Sequence, residues 1–105
     1  MASAGAIERH VTFHVLAGKI EQFGWFFLSE YRPAMAQTEG YVKAELLKDT
    51  ENPQDLTMVL RFDSLESAAA WRASERHAAL KPTLKSLYDG SELKVFEVLA
   101  NEALA

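Results

Sequence analysis

Apolar and polar residues alternate over residues 9–16 (RHVTFHVL), with Val11, Phe13 and Val15 pointing one way and His10, Thr12 and His14 the other. A period of two is the pattern of a half-buried strand. After Ala17-Gly18 the period lengthens: Ile20, Phe23, Phe26 or Phe27, Tyr31 and Met35 recur at three- and four-residue steps. That spacing predicts an amphipathic helix with a heavy aromatic stripe. Pro33 lacks an N–H and crowds the preceding turn, so it is expected to bend or end the last turn. Beyond Gly40, alternation resumes over residues 41–47, with Val42, Ala44 and Leu46 sharing a face. It returns over residues 56–62, where Leu56, Met58, Leu60 and Phe62 fall together. Between these strands, residues 49–55 (DTENPQD) are a turn by composition. A second helix is expected from Leu65, capped by Asp63 or Ser64, up to a stop at Tyr88-Asp89-Gly90. A fourth strand is expected over residues 92–99, with Leu93 and Val95 on the apolar face.

The order βαββαβ predicts an α+β fold, the ferredoxin-like plait, in which two helices cover one face of a four-stranded antiparallel sheet. With 105 residues the chain fits one domain. We read residues 9–100 as that domain, residues 1–8 as a flexible, small-residue leader and residues 101–105 as a tail. The second face of the sheet is polar except for Tyr41, Val59, Phe96 and Val98. A mixed patch of that kind marks an interface, and packing two such sheets face to face predicts a two-fold homodimer.

Composition narrows the function classes. Hydrophobic residues make up 49% and charged residues 25%, as in globular domains. The absence of cysteine excludes disulfides, zinc–thiolate sites and a cysteine nucleophile. A net charge of −4 argues against a nucleic-acid partner, because phosphate binding needs a concentrated basic surface. The densest apolar run, GWFFL, is too short to span a bilayer, and MASAGAIERH lacks the pattern of a secretion signal. The expected location is therefore cytoplasmic, with no membrane partner. No G-x-G-x-x-G, P-loop or G-x-S-x-G motif occurs.

Candidate chemistry concentrates in residues 71–82 (WRASERHAALKP). On one uninterrupted helix, six residues turn a side chain through about 600°, leaving Trp71 and His77 about 120° apart. Ser74, however, is a good N-cap for a fresh helical segment, and Pro82 strains a continuous one. In that second segment His77 heads an apolar stripe of Leu80, Leu84 and Leu87. His77 reads either as a pocket base or as a packed histidine satisfied by backbone, and Trp71 either as a pocket wall or as a core anchor. His10 and His14 are not expected to form a metal pair, since four strand residues span about 13 Å. No metal site is expected.

Several features occur in a fixed succession: Gly18-Lys19 before a phenylalanine-rich helix, Gly40-Tyr41 opening the second strand, and Asp49 with Asn52-Pro53. RFDSLESAAAW over residues 61–71 follows, then Ser74, His77 and Pro82. Together these resemble the antibiotic biosynthesis monooxygenase family of dimeric α+β barrels. The resemblance implies a homodimer with a pocket between sheet and helices. It also implies a cofactor-independent monooxygenase that uses dioxygen to oxidise a small aromatic phenol or quinol to a quinone. On that basis Trp71 and His77 are the candidate catalytic residues, with histidine standing where the phenol-oxidising branch has a tyrosine. Ser67 stands where that branch has an asparagine. With Ser67, the substrate-binding candidates are Phe23, Phe27, His14 and Arg61, the last as a neutraliser of phenolate or superoxide, or simply as a partner of Glu45. Two alternatives remain: a non-catalytic ligand-binding or stress-associated dimer, and a haem-degrading enzyme. The second is disfavoured because positions 80 and 81, where an axial histidine belongs, are Leu and Lys.

Overall fold

The computed structural model describes residues 5–101. Positions 1–4 of the expected leader and 102–105 of the expected tail lie outside them. Four strands, β1 (Ile7–Val15), β2 (Tyr41–Lys48), β3 (Asp55–Phe62) and β4 (Tyr88–Glu97), form one antiparallel sheet in the order β2-β3-β1-β4. Helix α1 (Ile20–Phe26), a π-helical turn (Phe27–Tyr31) and α2 (Arg32–Met35) link β1 to β2, while α3 (Leu65–Arg72) and α4 (Glu75–Lys85) link β3 to β4. The helices share one core with the inward face of the sheet, where Phe23, Phe27, Trp71 and Leu84 meet Phe13, Met58 and Leu60. This is the ferredoxin-like α+β plait expected from the alternation. Among the described residues, no helix is long and apolar enough to cross a membrane.

The π-helical turn gives Pro33 a place without ending the helix. At Arg32 the backbone N–H reaches back five residues to the Phe27 carbonyl, and the wider turn shifts the helical phase just before the proline. One consequence is that Phe26 and Phe27 are both buried, where an even 3.6-residue period would favour one of them.

The start of β1, both ends of β4, which stops at Glu97 rather than at 99, and one face of β2 differ from the sequence reading. β1 starts at Ile7, two residues early, because Ile7 pairs with both Phe62 and Glu97. β4 starts at Tyr88, so the expected stop at Tyr88-Asp89-Gly90 is already strand. The helix closes earlier, with the Leu87 N–H bonded to the Leu84 carbonyl, and the Leu87 carbonyl accepts from the Leu16 N–H at 2.9 Å. In β2 the register shifts between Tyr41 and Lys43. Such a bulge flips the parity of a strand. Tyr41, Ala44 and Leu46 consequently pack against the core while Val42, expected inside, is 49% exposed. Leu93 and Val95 lie on the helix-facing side as expected but stay about half exposed, beyond the helices' cover.

Gly40, with φ at +91°, sits where this bulged strand meets α3, and a Cβ there would come within 2.1 Å of Ser67 Oγ. Gly40→Ala is therefore expected to destabilise the fold by roughly 2–3 kcal/mol. Urea unfolding tests this; an unchanged midpoint would show that the loop relaxes freely.

Candidate active site

Trp71 and His77 converge because the helix breaks between them. α3 ends at Arg72 with Ala73 as its C-cap, and Ser74 leaves the helical region to cap α4. The Ser74 hydroxyl does two jobs, donating to the Trp71 carbonyl at 2.7 Å and accepting the His77 backbone N–H at 3.1 Å. The 120° divergence of an uninterrupted helix disappears. The two rings meet edge to face with centroids 5.2 Å apart, and Tyr31 from the π-helical turn completes the group at 5.5 Å from Trp71 and 6.3 Å from His77.

In front of this group, between sheet and helices, lies a cavity of about 250 Å³. Its floor is Arg9, Val11 and Phe13 of β1 with Leu60 of β3, and its α4 wall is His77, Lys81 and Leu84. Tyr31, Tyr88 and Ser91 also line it, with Arg72 and Lys85. Only the backbone N–H of His77 is engaged; its ring nitrogens make no hydrogen bond among the described residues. The reading of His77 as a histidine satisfied by backbone therefore applies to its amide and not to its imidazole. Trp71 does not line the cavity. It is 1% exposed and backs the His77 ring, and its Nε1 has no hydrogen-bond partner of ordinary geometry, although the Tyr31 hydroxyl is near enough to feel it.

The remaining sequence candidates lie elsewhere. Ser67 is at the first turn of α3, where its N–H bonds to the Ser64 cap and its hydroxyl donates to Asp63 Oδ1 at 2.9 Å. Phe23 and Phe27 are core side chains, 0% and 2% exposed; Phe27 borders a separate groove against β2. His14 and Arg61 are on the opposite face of the sheet from the cavity, because their strand positions are out of phase with the apolar set. His14 bonds Asp55 at 2.7 Å and Glu92 at 3.3 Å. Arg61 pairs with Glu8, whose other oxygen holds His10 at 2.7 Å, while Glu45 is left to Lys43. Among the cavity residues that the sequence reading does not single out are Arg9, Arg72, Lys81 and Lys85, while Tyr31, which it weighs and sets aside as an aromatic of the first helix, is brought to the cavity wall. For Arg9 the signal is present: counting back from Val15, Phe13 and Val11 by twos lands on it, so the alternation itself puts a cation on the core face.

The electrostatics follow from this placement. Burial pushes the His77 imidazole below its ordinary value of 6.5, and Lys81, Arg72 and Arg9 push it further the same way. It is therefore neutral at pH 7. Burial also raises the Tyr31 phenol. His14 shifts oppositely: its hydrogen bonds to Asp55 and then Glu92 raise it above 6.5. A group whose folded pKa is depressed contributes stability above its unfolded value and loses it as pH falls; a raised one loses its contribution as pH rises through the folded pKa. By proton NMR, with His→Gln variants for assignment, His77 is expected to titrate below pH 6.5 and His14 above it. Coincident titrations would show that neither environment persists in solution.

A family model described as antibiotic biosynthesis monooxygenase matches residues 6–82. The chain belongs to that family. Among solved structures, SnoaB, a cofactor-independent oxygenase from Streptomyces nogalater, is similar with a TM-score of 0.82 at 17% identity, over 94% of this chain and 98% of that one. A conserved protein from Methanosarcina mazei Go1 is similar with a TM-score of 0.80 at 21% identity, over 90% of this chain and 93% of that one. At these identities the likeness establishes the fold alone. No curated protein matches the chain. Within the family fold, the helix pair that carries Trp71 and His77 closes one wall of the cavity.

Proposed function

We propose that the protein is a cofactor-independent monooxygenase that oxidises a small phenol or quinol to a quinone. The observation that carries this reading is the His77 imidazole, which lines a cavity of mixed apolar and cationic character and whose ring nitrogens make no hydrogen bond among the described residues; burial and the neighbouring cations lower its pKa and so favour its neutral form. A base poised near neutrality takes the phenolic proton. The resulting phenolate gives an electron to dioxygen, and the ring radical and superoxide combine at an open ring carbon. The hydroperoxide then loses water, so one oxygen atom stays on the ring and the other leaves as water. An unsubstituted phenol would thus consume one dioxygen and give one benzoquinone and one water, with the electrons lost by the ring all taken up by oxygen. Val11, Phe13, Leu60 and Leu84 keep bulk water away from these charged intermediates. Trp71 acts as a positioning residue that fixes the plane of the His77 ring.

The cavity volume is below the usual range for drug-sized ligands, which favours a substrate with one ring. Oxygen-electrode assays with hydroquinones, naphthols and larger polyketide phenols test the proposal. Uptake is expected for the one-ring quinols, with quinone and water formed in equal amounts. No uptake above buffer for any substrate would leave the non-catalytic reading standing.

The working unit in this proposal is a cytoplasmic homodimer. Its support is the outer sheet face, where Arg61, Glu8 and Phe96 form one cross-strand row and Val59, His10 and Lys94 the next. Opposite charges and an aromatic placed on one patch suit a two-fold self-pairing. A monomer in sedimentation equilibrium at micromolar concentration would overturn it.

A further inference from the structure

The cavity has a charge character opposite to that of the whole chain. The net charge is −4, yet Arg9, Arg72, Lys81 and Lys85 line the cavity and no Asp or Glu does. Arg9 is the anomaly among them. It projects from the centre of the sheet between Leu60 and Val95 and is 9% exposed. It has no hydrogen bond or ion pair among the described residues, in contrast to Arg61 on the other face, which is paired with Glu8. A guanidinium is effectively always charged, and the nitrogens of Arg9, which are not among the sealed unpartnered atoms of the described residues, open onto the cavity that Arg9 lines. Burial and the neighbouring Arg72 both work against its charge. Nothing in the fold supplies the missing anion.

We propose that the ligand supplies it: Arg9, with Arg72 beside it, receives a carboxylate on the substrate. The substrate class is then a one-ring phenol or quinol that bears a carboxylate. The planar five-donor fork of arginine matches a carboxylate with two parallel hydrogen bonds. Lys81 and Lys85 at the α4 side of the cavity draw the anion in from solution. With its carboxylate held at the β1 floor, the ring lies across Val11 and Phe13, and a phenolic hydroxyl is directed to the α4 wall that carries His77. This inference rests on the phenol-oxidising reading for the identity of the ring, but the anion site itself is testable by binding alone.

The test is anaerobic calorimetry with three probes: 2,5-dihydroxybenzoate, its methyl ester and hydroquinone. The acid is expected to bind at least tenfold more tightly than the ester, with affinity falling as salt is raised. Arg9→Gln is expected to erase that preference, Arg9→Lys to restore part of it, and Arg72→Gln to weaken it. Arg9→Gln keeps a polar side chain on the cavity floor and removes a charge that has no ion pair among the described residues, so it is expected to fold; Arg72 is exposed, so its variant is a second route if the first does not. Equal affinity for acid and ester in the wild type, binding of neither, or a preference that survives Arg9→Gln would each overturn the anion site. The two proposals can fail separately. Tight, Arg9-dependent binding of the acid without oxygen uptake would retain the anion site and remove the oxygenase. Turnover of hydroquinone with no preference for the acid would do the reverse.

Discussion

Replacing His77 with alanine is expected to lower kcat/KM for oxygen uptake on the best quinol by about 10²–10⁴-fold, the range for losing a positioned general base. The fold should survive, because the bond that caps α4 uses the His77 backbone N–H and the Ser74 hydroxyl, neither of which the substitution removes. That separation makes the experiment decisive: far-ultraviolet circular dichroism should be unchanged while activity collapses. The pH dependence adds a second readout. The base works in its neutral form, and burial with the neighbouring cations lowers the folded pKa of His77 below 6.5, so the acid limb of wild-type kcat/KM should lie below that value. In His77→Ala the acid limb should disappear. Wild-type rates in His77→Ala, or an acid limb that persists in it, would mean that the proton goes elsewhere. Tyr31 is the next candidate, although its raised pKa makes it a poor base at pH 7.

Trp71→Ala is expected to cost about 3–5 kcal/mol in guanidinium unfolding, the range for truncating a fully buried large aromatic. Trp71 is 1% exposed and meets Tyr31 and His77 edge to face, so its removal opens a void that three elements would have to collapse into. Trp71→Phe should cost far less. It keeps an aromatic against both neighbours and removes an indole N–H that is buried without a hydrogen bond, and so loses no satisfied donor. If Trp71→Phe destabilised as much as Trp71→Ala, the indole N–H would have to be paired in solution. In the proposed mechanism Trp71→Phe should also lower kcat more than it raises KM, since it loosens His77 without touching the cavity.

The architecture was legible because every strand has a period of two and every helix a period near 3.6, in the order βαββαβ. The misreadings came where backbone irregularities shift that phase. The β2 bulge exchanges Val42 for Tyr41 on the core face, and the register shift between His14 and Val15 lets β4 begin at Tyr88. The π-helical turn buries Phe26 and Phe27 together. None of these leaves a mark in hydrophobicity alone. At the site, the family resemblance points to His77 together with Trp71, and the Ser74 N-cap supplies the helix break that lets the two converge. His14 and Arg61 were drawn in by residue type, although their phase put them on the outer face with His10. Arg9 had the right phase and the wrong chemistry for a core position. A cation in step with an apolar strand is a stronger pointer to a cavity than residue type on the outer face.

The break at Ser74 and the helix packing give the molecule two tryptophans in contrasting surroundings. Trp25 is 62% exposed on α1 while Trp71 is sealed in the core behind His77. Trp25 should emit at long wavelength and respond to iodide, whereas Trp71 should emit further to the blue and escape that quencher. With Trp25 changed to phenylalanine, the remaining fluorescence comes from one indole in contact with the His77 ring. The protein then carries its own spectroscopic probe, one residue removed from the cavity, and events at that wall can be followed in the stopped-flow without any added label.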